Sequence, residues 1–78
     1  PAEIGRRLER AMAANTAVGI EGLLAPNRFR AALHPSDFAP FAGVADALGA
    51  EFAAWLDGVA AERGWGLLGA VAVEVVAD

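Results

Sequence analysis

The chain has 78 residues, a net charge of −4 and a hydrophobic content of 56%, with six Arg, no Lys and no Cys. This length predicts one small domain, residues 1–78, and because the chain begins at Pro1 rather than Met we expect it to be part of a longer protein. Without Cys, disulfides and thiolate metal sites are excluded. The negative charge is the wrong sign for a protein that depends on contacts with a nucleic-acid backbone. The longest uncharged stretch near the C-terminus, residues 64–73, is about half as long as a membrane-spanning helix.

The N-terminal residues predict an amphipathic helix from Pro1 to about Asn15. Ile4, Leu8 and Met12 recur every four residues, while charged side chains occupy the other face. This charged, amphipathic start is not typical of a signal peptide.

From Val18 the hydrophobic period changes to two, which indicates strands. We interpret residues 18–34, VGIEGLLAPNRFRAALH, as two short strands joined in a hairpin by a tight turn at residues 25–28. Pro26 presets φ for the first central turn position and Asn27 tolerates the second. In the second strand the apolar residues Phe29, Ala31 and Leu33 alternate with Arg28, Arg30, Ala32 and His34.

The segment after His34 predicts helix. Ser36 is the expected N-cap of a short helical turn that continues through Phe41. A long helix is predicted from about Val44 to Arg63, with Gly64 as its C-terminal stop. One broad apolar stripe predicts its buried side: Val44, Leu48, Phe52, Trp55, Leu56 and Val59.

The last segment, WGLLGAVAVEVVAD, returns to period two, and Gly69 predicts a break between two halves of a strand. One face of this segment carries Trp65, Leu67, Val71, Val73 and Val75. The element order α-β-β-α(α)-β predicts an α+β fold, a small two-layer α/β sandwich with both helices on one face of a mixed sheet. The order resembles the type II KH topology.

The sequence offers little material for catalysis. Its one His and one Ser, His34 and Ser36, lie next to Asp37 in the chain, whereas a catalytic triad needs side chains that converge from separate segments. The acidic residues show neither zinc nor calcium spacing. The G-x-G-x-x-G pattern at residues 64–69 follows a helix and enters a strand, which is the reverse of a dinucleotide loop. We therefore expect no enzyme activity, no catalytic or metal-binding residue and no cofactor.

A KH-like nucleic-acid-binding domain is the alternative that the element order leaves open. Such a domain holds the nucleic-acid backbone with a GXXG loop between two adjacent helices. The corresponding junction, residues 40–45, has one Gly and no basic residue. Nucleic acid is therefore the less favoured ligand.

The strand pattern also predicts a candidate surface. If the helices cover one sheet face, the other face carries Arg28, Arg30, Ala32, His34, Ala70, Ala72, Glu74 and Val76. This face is either solvated, with an Arg30–Glu74 pair of little energetic value, or a docking or dimerisation surface for an acidic or β-rich partner. The candidate partner-binding residues are Arg28, Arg30, His34 and Glu74. A second candidate is the first-helix cluster of Arg6, Arg7 and Arg10.

Three segments together resemble a known family. PAEIGRRLERAM, LLAPNRFRAALHPSDFAPF and ERGWGLLGAVAVEV are similar to the N-terminal domain of FhaA-type forkhead-associated proteins of actinobacteria. Ala25 and Ala31 stand where larger β-branched residues are common in that family. The matching positions are Pro1, Glu3, Ile4, Pro26, Asn27, Phe29, Leu33, Pro35, Asp37, Phe38, Gly69, Val71 and Val73.

This resemblance implies an adaptor role. In such proteins the N-terminal domain precedes a long linker and a C-terminal forkhead-associated domain, which reads phosphothreonine beside Ser/Thr kinases that control cell wall and division. The implied function is a cytoplasmic, non-enzymatic protein-interaction or scaffold module. Its implied partner is a protein of the kinase pathway or of the cell wall, or a second copy of the chain in a homodimer. No phosphopeptide site is implied within residues 1–78, because the forkhead-associated residues are not among them.

Overall fold

Helices cover one face of a mixed sheet that is divided into two halves. The protein is described by a computed structural model that covers residues 2–78. Its elements, in chain order, are α1 (Ala2–Ala14), β1 (Ala17–Gly19), β2 (Gly22–Ala25), β3 (Arg28–Leu33), α2 (Pro35–Phe38), a 3-10 turn (Ala39–Phe41), α3 (Ala45–Arg63), β4 (Gly66–Leu67) and β5 (Ala72–Ala77). The predicted α+β class, mixed sheet and element order are confirmed. Pro1, which the sequence placed in the first helix, lies outside the described residues.

Two strand breaks divide the sheet. β2 and β3 are consecutive segments interrupted at Pro26-Asn27, and β4 and β5 are interrupted at residues 68–71. In one half, β1 pairs antiparallel with β2, and β2 pairs parallel with β4. In the other half, β3 pairs parallel with β5. One half therefore has three strands and the other has two.

The predicted hairpin at Pro26-Asn27 is wrong. β2 pairs with β1 and β4, whereas β3 pairs with β5. The hairpin lies one segment earlier, where Gly19 pairs with Gly22. Gly22 has a φ of 135°, a conformation that side-chain-bearing residues rarely adopt. Pro26 instead interrupts an extended stretch, because it has no N–H to donate to a ladder.

Asn27 links the two strand breaks. Its backbone oxygen accepts a hydrogen bond from the N–H of Ala72 at 2.8 Å. Its side-chain amide donates to the carbonyl oxygen of Ala70 at 3.2 Å. Gly69 leaves room for this amide, since a Cβ at that position would lie 3.2 Å from Asn27 Nδ2. Asn27 therefore has a structural role: it connects the two strand breaks by hydrogen bonds and does not form a hairpin turn.

The core lies between the helices and the sheet. Met12 and Leu56 are its largest fully buried side chains. Two residues of the apolar stripe predicted for α3 are not buried. Trp55 is 43% exposed, and Val44, which precedes the helix, is exposed as well. The buried cluster is Leu8, Met12, Ala25, Phe52, Leu56, Val59, Ala60 and Val75.

Close approach to β5 fixes the position of α3. Gly49 is buried, and a Cβ at this position would run into the backbone carbonyl oxygen of Val73. Only Gly therefore allows the helix to lie this near the strand. The helix ends at Gly64, as predicted, in a left-handed conformation with φ of 71°. Near this end, Arg63 pairs with Glu9 of α1 at 2.7 Å and so connects the two helices.

Candidate partner-binding surface

β3 and β5 place the candidate residues on the sheet face opposite the helices. The register pairs Arg28 with Ala72, Arg30 with Glu74, and Ala32 with Val76. Phe29, Ala31 and Leu33 pack against the core, while the residues between them are exposed, as the alternation predicted. We call the surface formed by Arg28, Arg30, Ala32, Ala72, Glu74 and Val76 the open face.

The open face carries charged groups that solvent can reach. Nε of Arg30 lies 3.5 Å from Oε1 of Glu74, and both side chains are 68% exposed. An ion pair this exposed contributes about 0–1 kcal/mol to stability. Arg28 lines the same shallow depression and forms no ion pair with any residue in 2–78. The charges of the open face are therefore available to a partner at little cost to the fold.

His34 has a structural role at the end of β3. Its Nδ1 accepts a hydrogen bond from the backbone N–H of Ser36 at 3.1 Å and lies 2.8 Å from Oγ of Ser36. The prediction of Ser36 as N-cap is wrong: Ser36 lies inside α2, and His34 caps the helix because Pro35 occupies its first position. Of the four candidate residues, Arg28, Arg30 and Glu74 therefore form one group, and His34 stands apart from them.

The structure divides the predicted arginine cluster of α1. Arg7 lines a groove between α1 and β3, whereas Arg6 and Arg10 lie on the other side of the helix, beside Arg63. This groove was not predicted from the sequence, because it depends on how α1 lies against β3. Its walls include Ile4, Arg7, Leu8, Ala11, Ala31 and Leu33.

The β1–β2 hairpin exposes a further apolar surface. Ile20 is fully exposed, Val18 is 86% exposed, and Leu68 of the β4–β5 connection is 83% exposed. Burying side chains of this kind is worth about 1.5–3 kcal/mol each. This surface was not predicted from the sequence, because the predicted hairpin turn lay one segment too late in the chain.

Metal-ligand clusters and membrane-spanning helices are both absent from the described residues, 2–78. Between Ala2 and Asp78, no three His, Asp or Glu side chains lie close enough to share a metal ion. Over the same residues, every helix is too short or too polar to cross a bilayer.

Fold and surface together define a small α+β module with a helix-covered core and an open, charged sheet face. The family model described as "FhaA, N-terminal domain" matches residues 1–78, and the chain belongs to this family. The resemblance found in the sequence is thereby confirmed.

The chain is also similar to a solved structure, Rv0020c_Nter. The two share 28% sequence identity and superpose with a TM-score of 0.92. The match covers 100% of this chain and 60% of the solved one, so this chain corresponds to only part of it. No curated protein matches the chain.

Proposed function

We propose that this domain is a non-enzymatic protein-interaction module of a phospho-signalling adaptor, and that the open face is its docking surface. The observation that carries the proposal is the exposed group of Arg28, Arg30 and Glu74 on a sheet face that no helix within residues 2–78 covers. Small neighbours such as Ala32 and Ala72 keep this face flat, which suits contact with another protein surface.

The amount of exposed surface supports a role in association. The chain exposes 5073 Å², whereas a compact monomer of 8.0 kDa exposes about 4,450 Å². Its radius of gyration is 13.0 Å, against about 11.5 Å for a compact domain of this length. The surplus of roughly 600 Å² follows from the elongated shape, 42 × 19 × 18 Å, and leaves more surface open to a partner than a compact domain offers.

The non-enzymatic part of the proposal is supported by the structural use of the residues that suggested catalysis. His34 and Ser36 hydrogen-bond to each other within one helix cap. That geometry accounts for both side chains through local structure.

The signalling part of the proposal rests on family membership. We place the domain in the cytoplasm, as part of a protein that also carries a forkhead-associated domain. Its partner would be a protein linked to the Ser/Thr kinase control of cell wall and division. A second copy of the chain is the other partner to be tested.

A pull-down from native cell extract tests this proposal. The wild-type domain is compared with an Arg28→Glu, Arg30→Glu variant, and with an Arg6→Glu, Arg10→Glu variant that makes the same charge change on α1. We expect a protein that the wild type and the α1 variant retain and the open-face variant loses. Equal retention by all three would contradict the proposal.

A nuclease-treated arm of the same pull-down tests the nucleic-acid alternative. Only the element order favours that alternative, and the net charge of −4 opposes it. Retention that disappears after nuclease treatment would replace the proposed protein interaction with nucleic-acid binding.

A further inference from the structure

One half of the sheet lacks a strand that the other half has. Beside β2 lies β1, which completes a three-stranded half, whereas the half formed by β3 and β5 has two strands. The position beside β3 that corresponds to β1 is therefore without a strand among residues 2–78. Helix α1 flanks this position without filling it, and its residues Ile4, Leu8 and Ala11 form one wall of the groove described above.

The backbone of β3 has hydrogen-bonding groups available at this groove. The carbonyl oxygens of Asn27 and Leu33 accept hydrogen bonds from the β5 side, from Ala72 and Asp78. In a parallel ladder, alternate residues direct their N–H and C=O groups to the same neighbour. The backbone groups that face β5 are consequently those of Asn27, Phe29, Ala31 and Leu33. Those of Arg28, Arg30 and Ala32 point to the opposite edge of β3, where Arg30 and Ala32 line the groove.

The opposite edge of this half-sheet, formed by β5, is in contact with helix α3. By the same alternation, Val73 directs its carbonyl away from β3, and Gly49 of α3 lies against that carbonyl oxygen. The helix thus blocks the outer edge of β5 near the start of the strand, at Val73. Proteins commonly cover or charge exposed strand edges, because unpaired edges invite another strand. Among residues 2–78, α1 approaches β3 less closely than α3 approaches β5, and a groove remains between α1 and β3.

The side chains around the groove specify what kind of strand would fit. On its inner side the wall is apolar, formed by Ile4, Leu8 and Ala11. On the outer side are Arg28 and Arg30 of the open face, with Arg7 at the rim. Because alternate residues of a strand point to opposite faces, a complementary strand would place apolar residues inward and acidic residues outward.

We propose that the groove between α1 and β3 binds an extended segment of a partner protein with alternating apolar and acidic residues, which adds as a strand to β3. The proposal rests on the function proposed above and specifies how the partner engages Arg28 and Arg30. Backbone hydrogen bonds to Arg28, Arg30 and Ala32 would supply affinity, and the three arginines would select acidic segments.

Fluorescence anisotropy with a labelled octapeptide of alternating Val and Glu tests the charge requirement at physiological salt. A Val–Lys octapeptide is the control peptide. We expect the Glu peptide to bind and the Lys peptide not to bind. Arg7→Glu should raise the Kd of the Glu peptide about fivefold or more. Arg10→Glu, on the same helix but outside the groove, should change this Kd less than twofold. No binding of the Glu peptide, or equal effects of the two variants, would overturn the proposal.

A backbone variant tests strand addition separately. Ala32→Pro removes an N–H that points into the groove and leaves the β3–β5 hydrogen bonds in place, so we expect peptide binding to be lost; Ala32→Val should retain it. In the wild type, the peptide should slow amide exchange at Arg30 and Ala32, a readout that does not require the Pro variant to fold. Unchanged exchange at both amides would overturn strand addition.

The two proposals can fail independently. Suppose that the Arg28→Glu, Arg30→Glu variant loses a cellular partner, whereas Arg7→Glu and folded Ala32→Pro retain it. The open face would then remain the proposed docking surface, and the proposal that a strand binds in the groove would be overturned. If the pull-down retains no protein at all, the proposed function fails, whatever the octapeptide does.

Discussion

The two faces of the sheet differ in what their residues contribute. On the covered face, Leu56 and Met12 are fully buried, and Gly49 allows α3 to lie directly against β5. On the open face, Arg30 and Glu74 form a pair in which both side chains are 68% exposed. Stability is therefore concentrated on one face, and the other can change its residues, or bind a partner, with little effect on folding.

Loss of the central α3 side chain should have the largest effect on stability. Leu56→Ala removes a side chain with no exposed surface. We expect the free energy of unfolding to fall by about 2–5 kcal/mol, because burial is lost and a cavity remains. Urea unfolding followed by circular dichroism measures this change. A loss below about 1 kcal/mol would mean that Leu56 is not central to the core.

Filling the helix–strand contact should have the next largest effect. Gly49→Ala forces a methyl group against the Val73 carbonyl oxygen, so we expect a loss of about 1–3 kcal/mol from overpacking. Gly58→Ala is the matched control in the same helix, since a Cβ there meets nothing within 4 Å. Urea unfolding should show Gly58→Ala as stabilising, by about 0.5–1 kcal/mol through helix propensity. The same sign for both variants would contradict the close approach.

The link between the strand breaks should have an intermediate effect. Asn27→Ala removes the side-chain hydrogen bond to the Ala70 carbonyl, and we expect a loss of about 0.5–1.5 kcal/mol. Amide exchange should also accelerate at Ala72, whose N–H bonds to the Asn27 carbonyl. Thermal unfolding and NMR exchange measure the two effects. Unchanged exchange at Ala72 would show that the side chain does not stabilise the break.

Substitution on the open face should have the smallest effect. Arg30→Ala removes an exposed ion pair with Glu74, and we expect the unfolding free energy to change by about 0–1 kcal/mol. The change should shrink further at high salt, because exposed charges are screened. Urea unfolding at two salt concentrations checks this. A larger, salt-independent loss would assign Arg30 a structural role.

Sequence patterns predicted the elements whose cause is local. The period of Ile4, Leu8 and Met12 identified α1, and Gly64 marked the end of α3. The alternation around Arg30 and Glu74 placed both residues on one face, and the register then made them direct neighbours.

The failures have a non-local cause. Pro-Asn is a strong turn signal, yet Pro26-Asn27 lies in a strand break whose partner segment is more than 40 residues further along the chain. That pairing cannot be seen locally. The misplaced hairpin hid the exposed side chains of Val18 and Ile20, and the groove beside Arg7 required the position of α1, which no period reveals.

The central claim is that the open face is reserved for a partner. The most direct test is an NMR titration of the isotope-labelled domain with the protein that the pull-down retains, with backbone amide shifts mapped by residue. We expect the shifts to concentrate at Arg28, Arg30, Ala32 and Glu74, while the core amides of α3 around Leu56 remain unchanged. Shifts concentrated on the exposed side of α3 or at the β1–β2 hairpin, with the open face unaffected, would contradict it.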